Sequence, residues 1–302
     1  MKKRGFYLKR RSIGSILFDI FNYAFLTLFC ITILYPFWNM FLLSFSDQKE
    51  AVSLGIRLWN DHWDASAYKY IFEYKDIVQA YCNTILKTVV GTLIALLLCF
   101  LAAYPLSKKD LPGRNIITLF FLFTMFFHGG MVPSYLLVKN LGLINSLWAL
   151  ILPVAFSTYN MIIMRNFIMS IDKGLEEAAL IDGAGYFNLA FRVILPLLKP
   201  VMATIALWTI VSHWNAWFDC MIYITDPDKK VLQLVVRDLV VSVSNASKNI
   251  DMMDFNMLNN VQLHSANVTS AAVLITIGPI VLVYPFLQKY FVKGVMVGSL
   301  KG

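Results

Sequence analysis

Charged residues are scarce in this sequence: they fill 15% of its 302 positions, where a soluble domain usually has about a quarter. That deficit excludes an ordinary solvated surface. Cysteine is scarce as well. Cys30, Cys82, Cys99 and Cys220 lie in or beside apolar stretches, without metal-type pairing or the density of a disulfide framework, and read as small core residues. His62, His128, His213 and His264 stand singly on different segments, so the metal or nucleophile constellation of a membrane-embedded enzyme is missing. There is no repeat period and no low-complexity tract.

Apolar residue types fill 58% of the chain and the mean hydropathy is +0.64, so the bilayer is the expected solvent. A span needs roughly 20 mainly apolar residues. Candidate spans run from about Ile16 to Leu43, Ala80 to Leu106, Asn115 to Pro133, Ser146 to Met164, Val201 to Ile224 and Ala271 to Leu287. His128, Gly129, Gly130 and Pro133 interrupt the outer end of the third, which predicts a broken or re-entrant segment. An even number of spans puts both termini on one side. The formal charge of +8 sits beside apolar runs, with Lys2, Lys3, Arg4, Lys9, Arg10 and Arg11 leading the first span. Topology explains it better than nucleic acid, and the positive-inside rule makes the N-terminus cytoplasmic. Lys108, Lys109, Arg114, Arg165, Arg192, Lys289 and Lys293 then fall inside too. Outside fall 46–79, a short turn at 141–145, and 225–270, whose apolar stretch Val231 to Val243 is too short to span. It reads as a surface helix that docks a partner or caps the bundle.

The connection between spans four and five, about Arg165 to Pro200, is too polar for the bilayer and too regular to be slack. Ser170 or Asp172 can cap a helix, Glu176 and Glu177 suit its first turns, and Gly183 and Gly185 can end it. Ala178 and Ala179 permit close approach of another backbone, Leu180 and Ile181 offer apolar knobs, and Glu177 and Asp182 can meet basic groups on a partner. A solvated loop is the plainer alternative.

Glu177, Ala178, Ala179, then Gly183, then Leu195 and Pro196 resemble the EAA loop signature of ABC importer permeases, although Val193 stands where that family has Ile. The longer run EEAALIDGAGYFNLAFRVILPLLKP, with Asp182, is similar to the carbohydrate-importing, maltose-type branch. The whole layout, down to the ending FVKGVMVGSLKG, is similar to its smaller permease subunit, closest to oligosaccharide permeases. The resemblance implies an all-α, six-helix type I ABC importer permease fold: a basic N-terminus at 1–15, a membrane domain at 16–293 with the coupling loop at 165–200, and a cytoplasmic tail at 294–302. It further implies coupling through Glu177, Ala178, Ala179, Asp182, Gly183, Leu195 and Pro196. The implied partners are a second homologous permease subunit, two ATP-binding subunits, an extracytoplasmic solute-binding protein, and a sugar or oligosaccharide. The implied place is the bacterial cell membrane. The chain has no phosphate-cradling GxxxxGK[ST] run, so ATP and Mg belong to the partner ATPase, and no cofactor or metal is expected in this chain.

Span five carries Trp208, His213, Trp214, Asn215, Trp217 and Asp219. On one continuous helix Trp208, Asn215 and Asp219 would share a face, with Trp214 and Trp217 on its neighbour, as in a sugar-lined path. An interfacial aromatic belt with hydrogen bonds between helices is the competing reading. Lys87 and Arg165 are expected to snorkel, and Asn83 and Thr84 to cap the start of span two. A permease for peptides or amino acids would share the loop. A secondary transporter would show more spans, internal pseudo-symmetry and buried coupling carboxylates.

Overall fold

The computed structural model describes residues 13–47, 56–73, 76–127, 129–249, 266–283 and 285. The basic cluster before Ile13, His128, most of the outer segment 250–270 and the tail 294–302 lie outside the described residues. Those described are helical apart from turns and one isolated antiparallel bridge, Ser46 with Trp63. Three helices are long and apolar enough to cross a membrane: α1 (Ile13–Ser44), α3 (Ile77–Ser107) and α14 (Ala266–Val283). Three bent pairs are long and apolar enough only when taken together: α4 (Arg114–Phe126) with α5 (Met131–Asn140), Trp148–Val154 with α7 (Thr158–Met169), and Tyr186–Leu197 with α11 (Lys199–Asn215). Counting each pair as one gives the six expected spans.

The chain divides into two compact units, one from 1–70 with 246–274, the other from 71–245 with 275–302. In the first, α1 is exposed along most of its length and buried only near its end, at Leu42 and Ser44. There Phe45 stacks on Tyr68 of α2 (Ser66–Glu73), with ring centres 4.6 Å apart. Asn60 Nδ2 donates to the Leu42 carbonyl at 2.7 Å, and Asn267 Nδ2 to that of Ser46 at 2.8 Å. These amides take up carbonyls that the end of a helix leaves free.

In the second unit α3 is the central helix, packed against α7 and α11. Cys99, Phe100, Ala103, Met161, Met164, Ile194 and Ile205 form one core. Inside a bilayer such a seam is held by close packing, and small residues let the backbones approach. Gly91 is the clearest case: a Cβ there would stand 2.5 Å from His213 Nε2.

Several expectations need correction. The fourth span is broken at 155–157 with a bend of 52°. Ser157 has an extended backbone, and its hydroxyl accepts the Asn160 N–H at 3.3 Å, which restarts the helix as α7. The fifth helix stops at Asn215 and resumes as α12 (Phe218–Tyr223), because Ala216 is extended. Lys87 does not snorkel. It is 1% exposed, and its Nζ donates to the Ala216 carbonyl at 3.2 Å. Arg165 is half-buried, donating to Thr118 Oγ1 at 3.3 Å. Asn83 and Thr84 serve another helix: Asn83 Nδ2 donates to the carbonyls of Asp228 (2.7 Å) and Lys230 (3.0 Å). Thr84 Oγ1 accepts the Leu232 N–H at 2.8 Å, at the start of α13 (Leu232–Asn249). That helix buries Leu232, Leu234, Val235, Val236 and Leu239, so the stretch after Val231 caps the bundle. Of the cysteines, Cys99 and Cys220 are buried as expected, whereas Cys30 and Cys82 are exposed.

Candidate functional site: the helix after span four

Beyond Met169 the chain turns at Ser170 and Ile171 into α8 (Lys173–Ile181). Asp172, not Ser170, is the cap: its carboxylate accepts the Gly174 N–H at 2.9 Å. The Ser170 hydroxyl instead donates to the Phe167 carbonyl. Glu176 lies in the first turn of α8, where a carboxylate suits the helix dipole. At the other end Gly183 is left-handed, with φ +81°. The Ala184 N–H reaches the Ala179 carbonyl (2.9 Å) and the Gly183 N–H that of Leu180 (3.0 Å). These are the paired bonds of a Schellman ending, which a residue with a Cβ forms only under strain. Nine residues would be a marginal helix alone; capped at both ends, α8 is well defined.

Its outward face is bare. Glu177, Ala178 and Asp182 are exposed, Ala179 is half-buried, and neither acid has an ion-pair partner among the described residues. Ile181 is 86% exposed, and Tyr186 and Phe187 just beyond are 78% and 74% exposed. These large apolar side chains, with the unpaired acids beside them, are left uncovered among the described residues.

Leu195 and Pro196 sit elsewhere, at the foot of span five. After α9 (Tyr186–Asn188) the backbone widens into a π-helical stretch, Leu189–Ile194, then α10 (Leu195–Leu197) and α11. Tyr186–Leu197 meets α11 at 75°. Pro196, near the start of α10, has a ring-fixed φ that suits this restart. The two parts of the motif are joined by packing, since α8 lies against the π-helical stretch. That stretch is anchored by buried Leu189, Ala190 and Ile194 and by Phe191 edge-on to Phe100 at 5.3 Å.

The span-five residues do not make one lining. Trp208 is exposed beside Tyr159. Trp214 is buried, its Nε1 donating to the Thr276 carbonyl at 2.9 Å. Asn215 ends α11, and Trp217 lies under the Arg237 guanidinium at 4.4 Å. Asp219, on α12, lines a cavity of about 310 Å³ with Ser134, Pro153 and Tyr223. The shared face required an unbroken helix, and the extended residue Ala216 removes it.

The model of the family described as binding-protein-dependent transport system inner membrane component matches residues 5–297. This chain belongs to that family. The permease is 37% identical over 286 residues to the polygalacturonan/rhamnogalacturonan transport system permease protein YtcP of Bacillus subtilis (strain 168), covering 95% of this chain and 99% of that one. It is 29% identical to the diacetylchitobiose uptake system permease protein NgcG of Streptomyces coelicolor (strain ATCC BAA-471 / A3(2) / M145), over 94% of this chain and 88% of that one. Among solved structures, one chain of a bacterial ABC transporter involved in the import of the acidic polysaccharide alginate superposes with a TM-score of 0.81 at 31% identity. The match covers 93% of the permease and 99% of that chain.

Sequence reasoning missed the buried polar and small stripe of α3, in which Asn83, Thr84 and Lys87 bond other segments and the Thr88 and Thr92 hydroxyls have no partner among the described residues. Asn83, Lys87 and Gly91, and beside them Thr84, Thr88 and Thr92, recur every fourth residue and are buried. That polar and small stripe at helical spacing was the available signal. The second missed feature is the ion pair of Lys108, just past α3, with Glu176 of α8. Nothing in the sequence links positions so far apart.

Proposed function

We propose that the permease forms half of the membrane path of an ATP-driven importer of oligosaccharides in a bacterial cell membrane, with both termini in the cytoplasm. A second homologous permease subunit supplies the other half, and an extracytoplasmic solute-binding protein delivers the sugar. Two ATP-binding subunits hold the ATP and Mg, and one of them grips α8. The observation that carries this reading is α8 itself: a short helix capped at both ends, with free acids at Glu177 and Asp182 and a bare apolar tip at Ile181, Tyr186 and Phe187. A rigid element seated in a partner's cleft transmits rotation, and the bend at Leu195 and Pro196 leads that rotation into span five. Oligosaccharides are favoured over peptides or amino acids by the names of the relatives. Two of those compared are named for acidic polysaccharides, so oligogalacturonides are the first substrates to test. Trp208, Trp214, Asn215, Trp217 and Asp219 do not share one continuous helix face. Asp219 alone keeps a position on a cavity, the natural place for a carboxylate that is costly in lipid.

The test is Glu177→Lys in the assembled complex in proteoliposomes, reading ATP hydrolysis and oligogalacturonide uptake together. Insertion stays intact, while uptake per ATP falls about tenfold, as losing a coupling of a kcal/mol or so requires. Unchanged uptake and unchanged stimulation of ATP hydrolysis would remove α8 from the coupling role.

A further inference from the structure

We propose that Lys108 is a positioning residue for coupling: it ties α8 to the inner end of α3, so that a displacement of α8 reaches α3 as well as span five. This rests on α8 being the coupling helix. Of the charged side chains on α8 (Lys173, Glu176 and Glu177), only Glu176 has an ion-pair partner among the described residues, and that partner is Lys108. The pair is sheltered, with side chains 26% and 22% exposed. The Lys108 ammonium also lies 4.6 Å from the centre of the Tyr104 ring, one turn back on α3. An ammonium fixed by a carboxylate on one side and a ring on the other has little freedom to wander. Around it Ser107, Lys109, Ile168, Met169 and Leu180 form a recess of about 210 Å³ between the end of α3 and α8. Glu177, one residue on, also borders this recess but is exposed and has no ion-pair partner among the described residues, so of the two carboxylates only Glu176 is tied to the end of α3.

The rest of α3 makes this tie consequential. With 31 residues it is about 46 Å long. In its outer half Asn83 and Thr84 bind the start of α13, and Lys87 holds the Ala216 carbonyl at the break in span five. A rod hydrogen-bonded near its outer end and ion-paired at its inner end carries a push on α8 toward the outer face without relying on the bent span five.

Charge reversal and swap test the tie in the whole complex, copurified with its partner subunits and reconstituted with binding protein and oligogalacturonide. The readout is ATP hydrolysis stimulated by the binding protein, relative to basal. Lys108→Glu and Glu176→Lys should each lower that ratio about fivefold, with subunit stoichiometry unchanged. The double swap should return it to within about twofold of the wild type. A contact serving only to hold the fold would lower assembly and leave the ratio of the assembled complexes alone. Single reversals that leave the ratio unchanged, or a swap that fails to restore it in a fully assembled complex, would overturn the role of Lys108. Because Glu177 takes no part in the tie, a strong effect of Glu177→Lys alongside silent Lys108 variants would leave the coupling helix standing and reject only its link to α3.

Discussion

The two ends of the α3 region treat water in opposite ways. At the end of α8 and on α9 the chain leaves large apolar side chains uncovered: Ile181, Tyr186 and Phe187 are all more than 70% exposed. At the break between α11 and α12 it buries polar ones, with His213 3% and Lys87 1% exposed. Apolar groups in water are unfavourable unless something covers them, and buried polar groups are unfavourable unless something bonds them. At the break Lys87 is bonded from within, by the Ala216 carbonyl, while His213 is closely packed against Gly91. The apolar side chains after span four are left uncovered among the described residues. The same reasoning tells a structural polar site from a docking surface when neither has a ligand bound.

The sharpest way to break this contrast is at Gly91. Gly91→Val should overpack the seam against buried His213 and destabilise the permease by about 1–3 kcal/mol. Thermal unfolding of the purified complex in detergent would drop by several degrees. Adding His213→Ala should recover part of the loss, because it vacates the place the new side chain needs. An unchanged melting temperature would mean that the α3–α11 seam is looser than its contacts indicate.

Gly183→Ala should act at the other end and in another way. Forcing a Cβ into the left-handed ending of α8 costs about 1 kcal/mol locally, with little change in the melting of the bundle. Uptake per ATP hydrolysed should fall several-fold while basal hydrolysis persists. If bundle stability fell instead, α8 would be part of the fold in the way the break is, and the contrast would fail.

Smallest of all, Asp172→Ala removes the cap of α8 and should cost the helix about 1 kcal/mol. Hydrogen exchange at the amides of Lys173 to Leu175 should then speed up about fivefold, leaving α3 and α11 unaffected. No acceleration would show that packing against the π-helical stretch, and not the cap, holds α8 in place.

Much of this was legible in the residues. The six apolar runs, the capped helix after Met169 and its glycine ending follow from local patterns: apolar length, a carboxylate before a helical run, and a glycine after it. Each spans only a few neighbours, and the structure agrees with each. The break at Ala216 was not legible, because Asn215 to Phe218 carry no glycine or proline. That carbonyl leaves the helix to meet Lys87, which stands 129 positions away in the sequence. The path residues Trp208, Asn215 and Asp219 were placed on one face by assuming continuity across that break. Asn83 and Thr84 were given to their own helix, whereas Asn83 donates to carbonyls just before α13 and Thr84 accepts the first N–H of α13. The Cys30 and Cys82 assignments failed because an apolar stretch in a membrane protein can face either lipid or protein.

By itself, then, the sequence determined the solvent, the number of spans and the presence of a rigid helix between spans four and five, all of which depend on hydropathy and on contacts within a few residues. Only the tertiary structure decided which polar groups inside the bundle are bonded, where spans four and five break, and that Lys108 reaches Glu176. Those outcomes depend on a donor and an acceptor from distant segments arriving at the same point, and no local pattern records where such segments meet.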